Sequence, residues 1–358
     1  PGGLERVLAR SIVLRGRPYL SFTLRHPTRD ETRNLPFDEA IPWLRAQVGA
    51  VFRSALLCTT AADWQLFLPE TGAPRLIRHP ASIRSAPARD HDQPRRRILD
   101  ATAADWLHGV GVTDVAGRPR PAMADKFRQI DRYLELVSHL AVDCGWDSVP
   151  ALRVADMGCG KGYLTFALWH WLVRTRGKAA EVVGVEQRSE LVAAANTVAR
   201  RIEARGLKFL AGTIRSAPLP PVDALVALHA CDTATDDAIR RGIELGARLI
   251  VVSPCCHKEV RPQLGRPQPV APILDHGVMA DRLAEWLTDG LRALFLEAAG
   301  YRTRVMEFIR GEHTAKNLMI AAIKTHDSAA AAAARERIFE LKRFFGVSHH
   351  TLDGLLAR

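Results

Sequence analysis

The first 80 residues alternate short apolar runs with polar turns. SIVLRG and YLSFTLR have alternating apolar positions on either side of a Gly-Arg-Pro turn, which predicts two strands. FDEAIPWLRAQVG has the spacing of a short amphipathic helix, and SALLCTT and WQLFL predict two more strands. Residues 1–80 are therefore predicted to form a small α+β domain. The arginine-rich stretch 75–97 is predicted to be a surface connector, and a short helix, ATAADWLHGVG, completes the segment 81–123.

A regular alternation of apolar strands and helices begins after residue 150, behind a long helix that starts near residue 124. The predicted strands are ALRVADMG, EVVGVEQ, LKFLAGT, VDALVALHACD, ARLIVVSP, YRTRVMEFI and NLMIAAIK. Such alternation is typical of a parallel sheet covered by helices on both faces. The last two strands are too close in sequence for a crossover connection, so one of them should be antiparallel.

The predicted fold class is therefore α/β. Residues 124–324 should form a Rossmann-like sheet of seven strands, mostly parallel with one antiparallel strand, and the small α+β domain precedes it. Residues 325–358 are expected to form a helical tail that packs on this domain, with a polar, alanine-rich spacer and two short helices.

The first strand of this sheet runs into a glycine-rich turn, DMGCGKG, which contains Asp156, Gly158, Gly160 and Gly162. Glycines permit a tight turn and a close approach of the backbone to a ligand. The spacing is G-x-G-x-G, because a tyrosine stands where a dinucleotide fingerprint has its third glycine. Glu186 ends the second strand, where a carboxylate can accept hydrogen bonds from both hydroxyls of a ribose. The pattern favours a nucleoside-containing cofactor, and the alternative is a doubly wound fold that binds NAD or no ligand.

Reactive side chains follow the fourth and fifth predicted strands, in HACDTATDD and PCCHK. Ligands of open α/β sheets bind at the carboxyl ends of strands, and neighbouring strand ends are about 5 Å apart. The two segments should therefore share one pocket. The candidate residues are His229, Cys231, Asp232, Cys255, Cys256, His257 and Lys258.

These motifs together resemble those of class I S-adenosylmethionine-dependent methyltransferases, over about residues 124–324. The resemblance implies S-adenosylmethionine as the cofactor, with the Gly158–Gly162 turn around its methionine part and Glu186 on its ribose. Asp156 is a further candidate for cofactor binding. Gly212 and Thr213 would lie by the adenine, where the family often has an acidic residue that this sequence lacks. The pairing of H-x-C-[DG]-x-x-T-D with C-C-H is also similar to a subgroup. That subgroup includes methyltransferase-like proteins and eukaryotic enzymes that methylate ribose in the tRNA acceptor stem.

Three hypotheses account for the cluster of reactive side chains. In the first, Asp232 and Lys258 flank the acceptor and help to deprotonate a ribose hydroxyl or an amine, and Lys126 or Glu312 extends the group. In the second, Cys255 or Cys256 is a nucleophile that adds to a pyrimidine ring and activates its C5.

In the third hypothesis, the three cysteines of the cluster bind zinc together with His257 or His229, although no C-x-x-C spacing is present. A structural interpretation stands beside all three: the cysteines shape the pocket wall and His257 is a core residue. We expect no resident metal. Lys316 and Asn317, in the turn between the last two strands, are candidates for the border of the pocket.

Charge indicates the class of substrate. The net charge is +11, and only eight of the 50 basic residues are lysine. The stretch 75–97 holds seven arginines and two aspartates. Arginine presents a planar fork that suits phosphate, so the expected partner is RNA, either tRNA or rRNA, gripped in part by the N-terminal domain. The alternatives are genomic bias toward arginine, methylation of a protein or small molecule, and a non-catalytic RNA-binding protein with a relic cofactor pocket.

The number and spacing of the cysteines, together with the hydropathy of the chain, predict the cellular compartment of the protein. The six cysteines form no regular framework, which favours a reducing cytoplasm. Cys58, Cys144 and Cys159 are expected to be packing residues, as are Trp169 and Trp171. We expect no signal peptide, and because no apolar run approaches 18 residues we also expect no association with a membrane.

Overall fold

The computed structural model describes residues 4–14, 16–27, 30–83, 98–228, 233–254, 257–307, 318–325 and 327–356. The chain divides into two compact units, Pro1–Arg96 and Arg97–Arg358. No helix among the described residues is both long enough and apolar enough to cross a bilayer.

The smaller unit contains two antiparallel sheets of three strands each. Its elements are β1 (Arg6–Leu14), β2 (Arg17–Arg25), β3 (Asp30–Pro36), α1 (Phe37–Gln47), β4 (Ser54–Cys58), β5 (Asp63–Phe67) and β6 (Arg75–His79). Helix α1 covers the β1–β2–β3 sheet, where Phe22 and Ala40 are fully buried and the ring of Phe22 lies 4.8 Å from that of Trp43.

Two strands of this unit differ from the prediction. Residues 75–79, expected to belong to a connector, form β6, which pairs with β5 in register Gln65 to Ile77. The apolar pair Leu76–Ile77 inside the arginine-rich stretch extends the hairpin, although composition alone indicates a loop. Strand β3 was not predicted, because DETRNLP is polar; its backbone bonds to β2 form without buried side chains.

The larger unit is a three-layer α/β structure. Its elements are α2 (Ala104–Gly109), α3 (Ala124–Asp143), β7 (Ala151–Met157), α4 (Tyr163–Trp169, continued by a π-helical segment His170–Thr175), β8 (Ala179–Glu186), α5 (Ser189–Arg201), β9 (Leu207–Ala211), β10 (Ala224–Ala227), α6 (Thr233–Glu244), β11 (Leu249–Val252), α7 (Gly277–Ala298), β12 (Tyr301–Glu307), β13 (Leu318–Lys324) and α8 (Ser328–Phe345).

The seven strands lie in the order β12-β13-β11-β10-β7-β8-β9. Strands β7 to β11 pair in parallel, and β13 is antiparallel to both of its neighbours. The predicted fold class is therefore confirmed. Both faces of the sheet are buried: Val154 packs in one core with Phe166 of α4, and the next residue, Ala155, packs in the other with Leu291 of α7. Trp169 and Trp171 lie in the first of these cores, as expected.

The tail is built differently from the prediction. The alanine-rich segment is the first half of one long helix, α8, and not a spacer before two short ones. Asp327 accepts a hydrogen bond from the backbone N–H of Ala330 and begins the helix, and alanine has the highest helix propensity. Ala334 and Ile338 bury the inner face of α8 in the second core.

Candidate active site

The carboxyl ends of β7, β10 and β11 are neighbours at one edge of the sheet. Asp156 of β7 pairs with Val226 of β10, and Val226 pairs with Val251 of β11. Just beyond the strands, the N–H of Ser253 donates to the carbonyl of Ala227 at 3.1 Å. The strand ends that lead to the glycine turn, to residues 229–232 and to residues 255–256 are therefore adjacent. His229, Cys231, Asp232, Cys255 and Cys256 themselves lie outside the described residues.

The glycine turn depends on left-handed backbone. Gly158, Gly160 and Gly162 have φ of 69°, 57° and 77°, where other L-residues are strained. The N–H groups of Gly158 and Cys159 both donate to the carbonyl of Val185, at 2.8 and 3.0 Å, which fastens the turn to β8. A Cβ on Gly160 would meet nothing closer than the Arg188 guanidinium at 4.0 Å, so this glycine faces open space.

Glu186 lies directly beside this open space. One carboxylate oxygen, Oε2, accepts from the N–H of Gly160 at 2.9 Å. The other, Oε1, accepts from the N–H of Arg188 at 3.1 Å and from its Nε at 2.9 Å. The hydrogen bond from the Arg188 side chain is the main reason that the pKa of Glu186 is lowered. The carboxylate is therefore ionised at neutral pH. Arg188, which the sequence pattern does not single out, is its partner.

Asp156 is buried beneath the turn and does not face solvent. The hydroxyl of Thr165 donates to its Oδ2 at 2.6 Å. Burial raises the pKa of Asp156 to about 7. The hydroxyl of Tyr133 is also buried, with no hydrogen-bond partner among the described residues, and burial and the nearby Asp156 both raise its pKa. Asp156 thus supports the turn from inside. Thr165 and Tyr133 give no sequence signal because they sit on apolar helix faces.

The turn after β9 lies next to Glu186. The N–H of Gly212 donates to the carbonyl of Glu186 at 3.0 Å. The hydroxyl of Thr213 lies 2.8 Å from that of Ser216 and accepts from the Ser216 N–H at 3.1 Å. Gly212 is therefore placed beside the glycine turn, and the Thr213 side chain is engaged in closing its own turn.

On the other side of the edge, His257 and Lys258 follow β11. Lys258 is exposed. His257 is half-buried, and its Nδ1 is shielded from solvent without a hydrogen-bond partner among the described residues. The segment continues through Glu259 and Gln263, whose side chains bond to the C-terminal residues 348–351. The sequence does not single out Glu259 and Gln263, because their partners lie 85 to 92 residues away.

Helix α3 brings a further cation to the glycine turn. The Nζ of Lys126 lies 5.7 Å from the centre of the Tyr163 ring, and Tyr163 is the first residue of α4 after Gly162. Lys126 also donates to Gln129. The other candidates for this side of the pocket, Glu312, Lys316 and Asn317, lie outside the described residues.

The cysteines that the structure describes are free thiols. Cys144 is buried, and burial raises its pKa to about 11. Cys58 is exposed on β4, so its expected packing role is wrong: its strand belongs to a sheet without a core. The described residues contain no group of three His, Cys, Asp or Glu side chains that could hold a metal ion. The zinc hypothesis concerns residues outside that set and stays a prediction.

The sequence was compared with known families. Residues 125–263 match the family model of a methyltransferase domain. This segment is a methyltransferase domain. The chain is accordingly a methyltransferase that depends on S-adenosylmethionine. No curated protein sequence matches it.

Solved structures of methyltransferases are also similar to this domain. An S-adenosylmethionine-dependent methyltransferase from Aquifex aeolicus is 18% identical over 48% of this chain and 80% of its own, with a TM-score of 0.29. A dimethyladenosine transferase from Plasmodium falciparum is 13% identical over 67% and 74%, with a TM-score of 0.37. The tRNA (uracil-54, C5)-methyltransferase of Pyrococcus abyssi, in complex with S-adenosylhomocysteine, is 14% identical over 54% and 38%, with a TM-score of 0.31.

The residues of the methyltransferase domain fit the methyl donor. A nucleoside needs an acceptor for its ribose hydroxyls, and Glu186, the predicted candidate, is ionised and lies at the end of β8. The donor also needs backbone that it can approach closely, and Gly160 leaves open space where any other residue would place a Cβ.

Proposed function

We propose that this protein transfers a methyl group to RNA, either tRNA or rRNA, at a ribose 2′-hydroxyl or at a base. The observation that carries the proposal is the contact between strand ends at one edge of the sheet. The turn at Gly158–Gly162 and Glu186 would hold the donor there. The hydrogen bond from Ser253 to Ala227 joins the ends of β11 and β10, the strands that precede the two reactive segments. Donor and acceptor groups would thus share one pocket.

The donor side of this pocket would be built by Asp156, Gly158, Gly160, Gly162, Glu186, Gly212 and Thr213. S-adenosylmethionine supplies a methyl carbon that is already activated by the neighbouring sulfonium. The chain must therefore align the acceptor and accept its proton. Glu186 would orient the ribose, and Asp156 would keep the turn in shape through Thr165.

The acceptor side would be built by His229, Asp232, Cys255, Cys256, His257 and Lys258. In this proposal, the neutral amine form of Lys258 accepts the proton that the attacking hydroxyl or amine loses, and Asp232 orients the lysine. The exposure of Lys258 allows a large substrate to reach it from solvent. The cysteines would line the wall, and a nucleophilic cysteine is the second mechanism to be distinguished by mutation.

Charge supports RNA as the acceptor. The net charge of +11 comes mainly from arginine, which binds phosphate through two parallel hydrogen bonds. Arg188 lies at the rim of the donor site with 61% of its side chain exposed. The N-terminal domain, residues 1–80, would help to hold the RNA. The free thiols favour the cytoplasm as the cellular compartment of the protein.

Transfer of label from tritiated S-adenosylmethionine tests the proposal. Purified protein is incubated with RNA, protein and small-molecule fractions of a lysate from cells that lack the gene. We expect label in the RNA fraction, and a loss of at least about tenfold both with Glu186→Gln at limiting donor and with Lys258→Ala. Mass spectrometry of nucleosides then identifies the methylated atom.

Other outcomes of this experiment would favour another substrate class, another mechanism or a non-catalytic function. Label in protein or in small molecules would replace RNA as the substrate class. Wild-type rates in Lys258→Ala together with no activity in Cys255→Ala or Cys256→Ala would favour the nucleophilic mechanism. Failure to bind S-adenosylmethionine in calorimetry would remove catalysis from the proposal.

A further inference from the structure

In the described part of the chain, most side chains of the β4–β5–β6 sheet of the N-terminal unit are exposed on both faces. Its large apolar side chains are exposed: Leu56 (61%), Leu57 (62%), Trp64 (39%), Phe67 (43%), Leu76 (63%) and Ile77 (45%). No residue of these strands joins a hydrophobic core cluster of the described residues. Exposed apolar side chains that lie together and are bordered by polar residues mark an interaction site. This sheet is therefore expected to have a partner.

Strand register separates its side chains into two faces, because directly paired residues point the same way and neighbours along a strand alternate. What we call the Phe67 face carries the rows Ser54–Phe67–Arg75, Leu56–Gln65–Ile77 and Cys58–Asp63–His79. The opposite Trp64 face carries the rows Ala55–Leu66–Leu76 and Leu57–Trp64–Arg78. A hydrogen bond of 3.0 Å between Nε2 of His79 and Oε1 of Gln65 runs along the Phe67 face.

The two faces differ in chemistry. The Phe67 face combines an exposed aromatic ring, an arginine directly opposite it on β6, and the polar groups of Gln65 and His79. Arg75 makes no ion pair within the described part of the chain. The Trp64 face has its own aromatic–arginine pair, since Trp64 lies directly opposite Arg78, but its other side chains are aliphatic. The polar side chains of Gln65 and His79 are therefore what distinguishes the Phe67 face.

The acidic residue of the Phe67 face does not offset this positive charge at the surface. Asp63 is only 5% exposed, and its two carboxylate oxygens accept from the backbone N–H groups of Thr59 and Ser82, both at 3.2 Å. Hydrogen bonding with Ser82 is the main reason that its pKa is lowered. The exposed charge of this face is therefore that of Arg75.

We propose that the Phe67 face binds an unpaired stretch of RNA. An aromatic ring and a cation on an open sheet are the chemistry that holds unpaired bases: a base stacks on the ring and a phosphate meets the guanidinium. Here Phe67 would stack with a base, Arg75 would contact the adjacent phosphate, and Gln65 and His79 would bond to base edges or sugar hydroxyls. A sheet of this size accommodates about two or three nucleotides. The inference rests on RNA as the proposed substrate.

The strands provide their own matched controls. Arg75 and Arg78 are both exposed on β6, and Phe67 and Trp64 are both exposed aromatic residues on β5, but each pair points to opposite faces. Binding of fluorescein-labelled U10 and A10 to the full chain is measured by fluorescence anisotropy. We expect Arg75→Ala and Phe67→Ala to weaken binding by at least about fivefold, and Arg78→Ala and Trp64→Ala by less than twofold. Arg75→Ala should also reduce the slope of log K against log salt by about one.

A fold control accompanies these variants. Circular dichroism melting checks each of them, and Phe67→Leu, which keeps an apolar side chain, replaces Phe67→Ala if that variant fails to fold. Equal losses on both faces, losses on the Trp64 face only, or no loss at all would overturn the proposal. Binding of an RNA duplex as tight as that of U10 would also overturn it, as would dimer formation that depends on Phe67.

Methyl transfer separates this inference from the proposed function. If the wild type methylates RNA and Arg75→Ala behaves like Arg78→Ala, the surface is wrong and the function stands. If no RNA is methylated but U10 binding depends on Arg75 and Phe67, the surface stands and the function is wrong.

Discussion

The side-chain amide of Gln263 forms hydrogen bonds with both the N–H and the carbonyl of His349. Its Oε1 accepts from the His349 N–H at 2.9 Å, and its Nε2 donates to the His349 carbonyl at 2.9 Å. Oε1 also accepts from the N–H and the hydroxyl of Ser348, at 3.1 and 3.0 Å. The residues after α8 are thereby fixed to the segment that carries Lys258, five residues before Gln263.

A second set of bonds joins the same two segments. The hydroxyl of Thr351 donates to Oε1 of Glu259 at 2.8 Å, and the N–H of Gly265 donates to the carbonyl of Phe345 at 2.7 Å. Arg240 of α6 donates to the Thr351 carbonyl. The C-terminal residues therefore connect the segment after β11 with the helix that follows residues 229–232.

Gln263→Ala should lower the rate of methyl transfer more than it lowers donor affinity. The variant loses four hydrogen bonds to the C-terminal residues, which frees the segment that holds Lys258; we expect a loss of about 1–3 kcal/mol in stability. Ser348→Ala removes one of these bonds and should have a smaller effect of the same kind. Single-turnover rates and donor titrations measure the two quantities. A fall in donor affinity as large as the fall in rate would contradict a positioning role.

Glu186→Gln should weaken binding of S-adenosylmethionine by about tenfold or more. An ionised carboxylate is worth about 1.5–3 kcal/mol as a hydrogen-bond acceptor, and a neutral amide is worth less. Glu190→Gln, in the exposed first turn of α5, is the matched control and should bind the donor normally. Because the pKa of Glu186 is lowered, wild-type affinity should not fall between pH 7 and pH 5 through this group. Calorimetry at both pH values checks each statement, and a normal affinity in the Glu186 variant would contradict the ribose role.

Gly162→Ala should destabilise the domain more than Gly177→Ala does. Both glycines have positive φ, 77° and 62°, so both variants bear a left-handed backbone penalty of about 1–2 kcal/mol. Only at Gly162 would the new Cβ lie 2.7 Å from the ring of Phe209, whereas Gly177 has no atom within 4 Å of that position. Overpacking adds about 1–3 kcal/mol. The difference in melting temperature between the two variants measures the cost of overpacking against Phe209. Equal melting temperatures would show that the Phe209 ring moves aside without cost.

Asp156→Asn should remove a dependence of stability on pH. The pKa of Asp156 is raised to about 7, above the value near 3.9 of an unfolded aspartate, so the folded state binds the proton more tightly. Its stabilising contribution is full below about pH 4 and is lost as the pH rises through about 7. The variant should therefore gain stability relative to the wild type between pH 5 and pH 8. Melting temperatures measure this, with the exposed Glu336→Gln as control; a constant difference at the two pH values would contradict the buried ionisation.

The sequence indicated the larger fold because its signal is repeated. Strands such as EVVGVE are apolar on both faces, and this happens where helices cover both sides of a parallel sheet. The sequence pattern does not predict two features, one in the smaller unit and one in the tail. Strand β3 is polar and forms through backbone bonds to β2, and the alanine-rich segment was interpreted as a spacer because alanine has no amphipathic pattern.

The residues of the candidate site also divide into those that the sequence predicts and those that only the structure reveals. The sequence by itself determined the glycines, the acid at the end of β8 and the order of the reactive segments, because backbone conformation and strand ends impose residue types locally. Only the tertiary structure decided that Arg188 shares Glu186, that Asp156 is buried under the turn, and that Gln263 binds His349. The first two contacts depend on side-chain direction, and the third joins chain segments 86 residues apart. Hydrogen bonds of either kind leave no periodic signal in the chain.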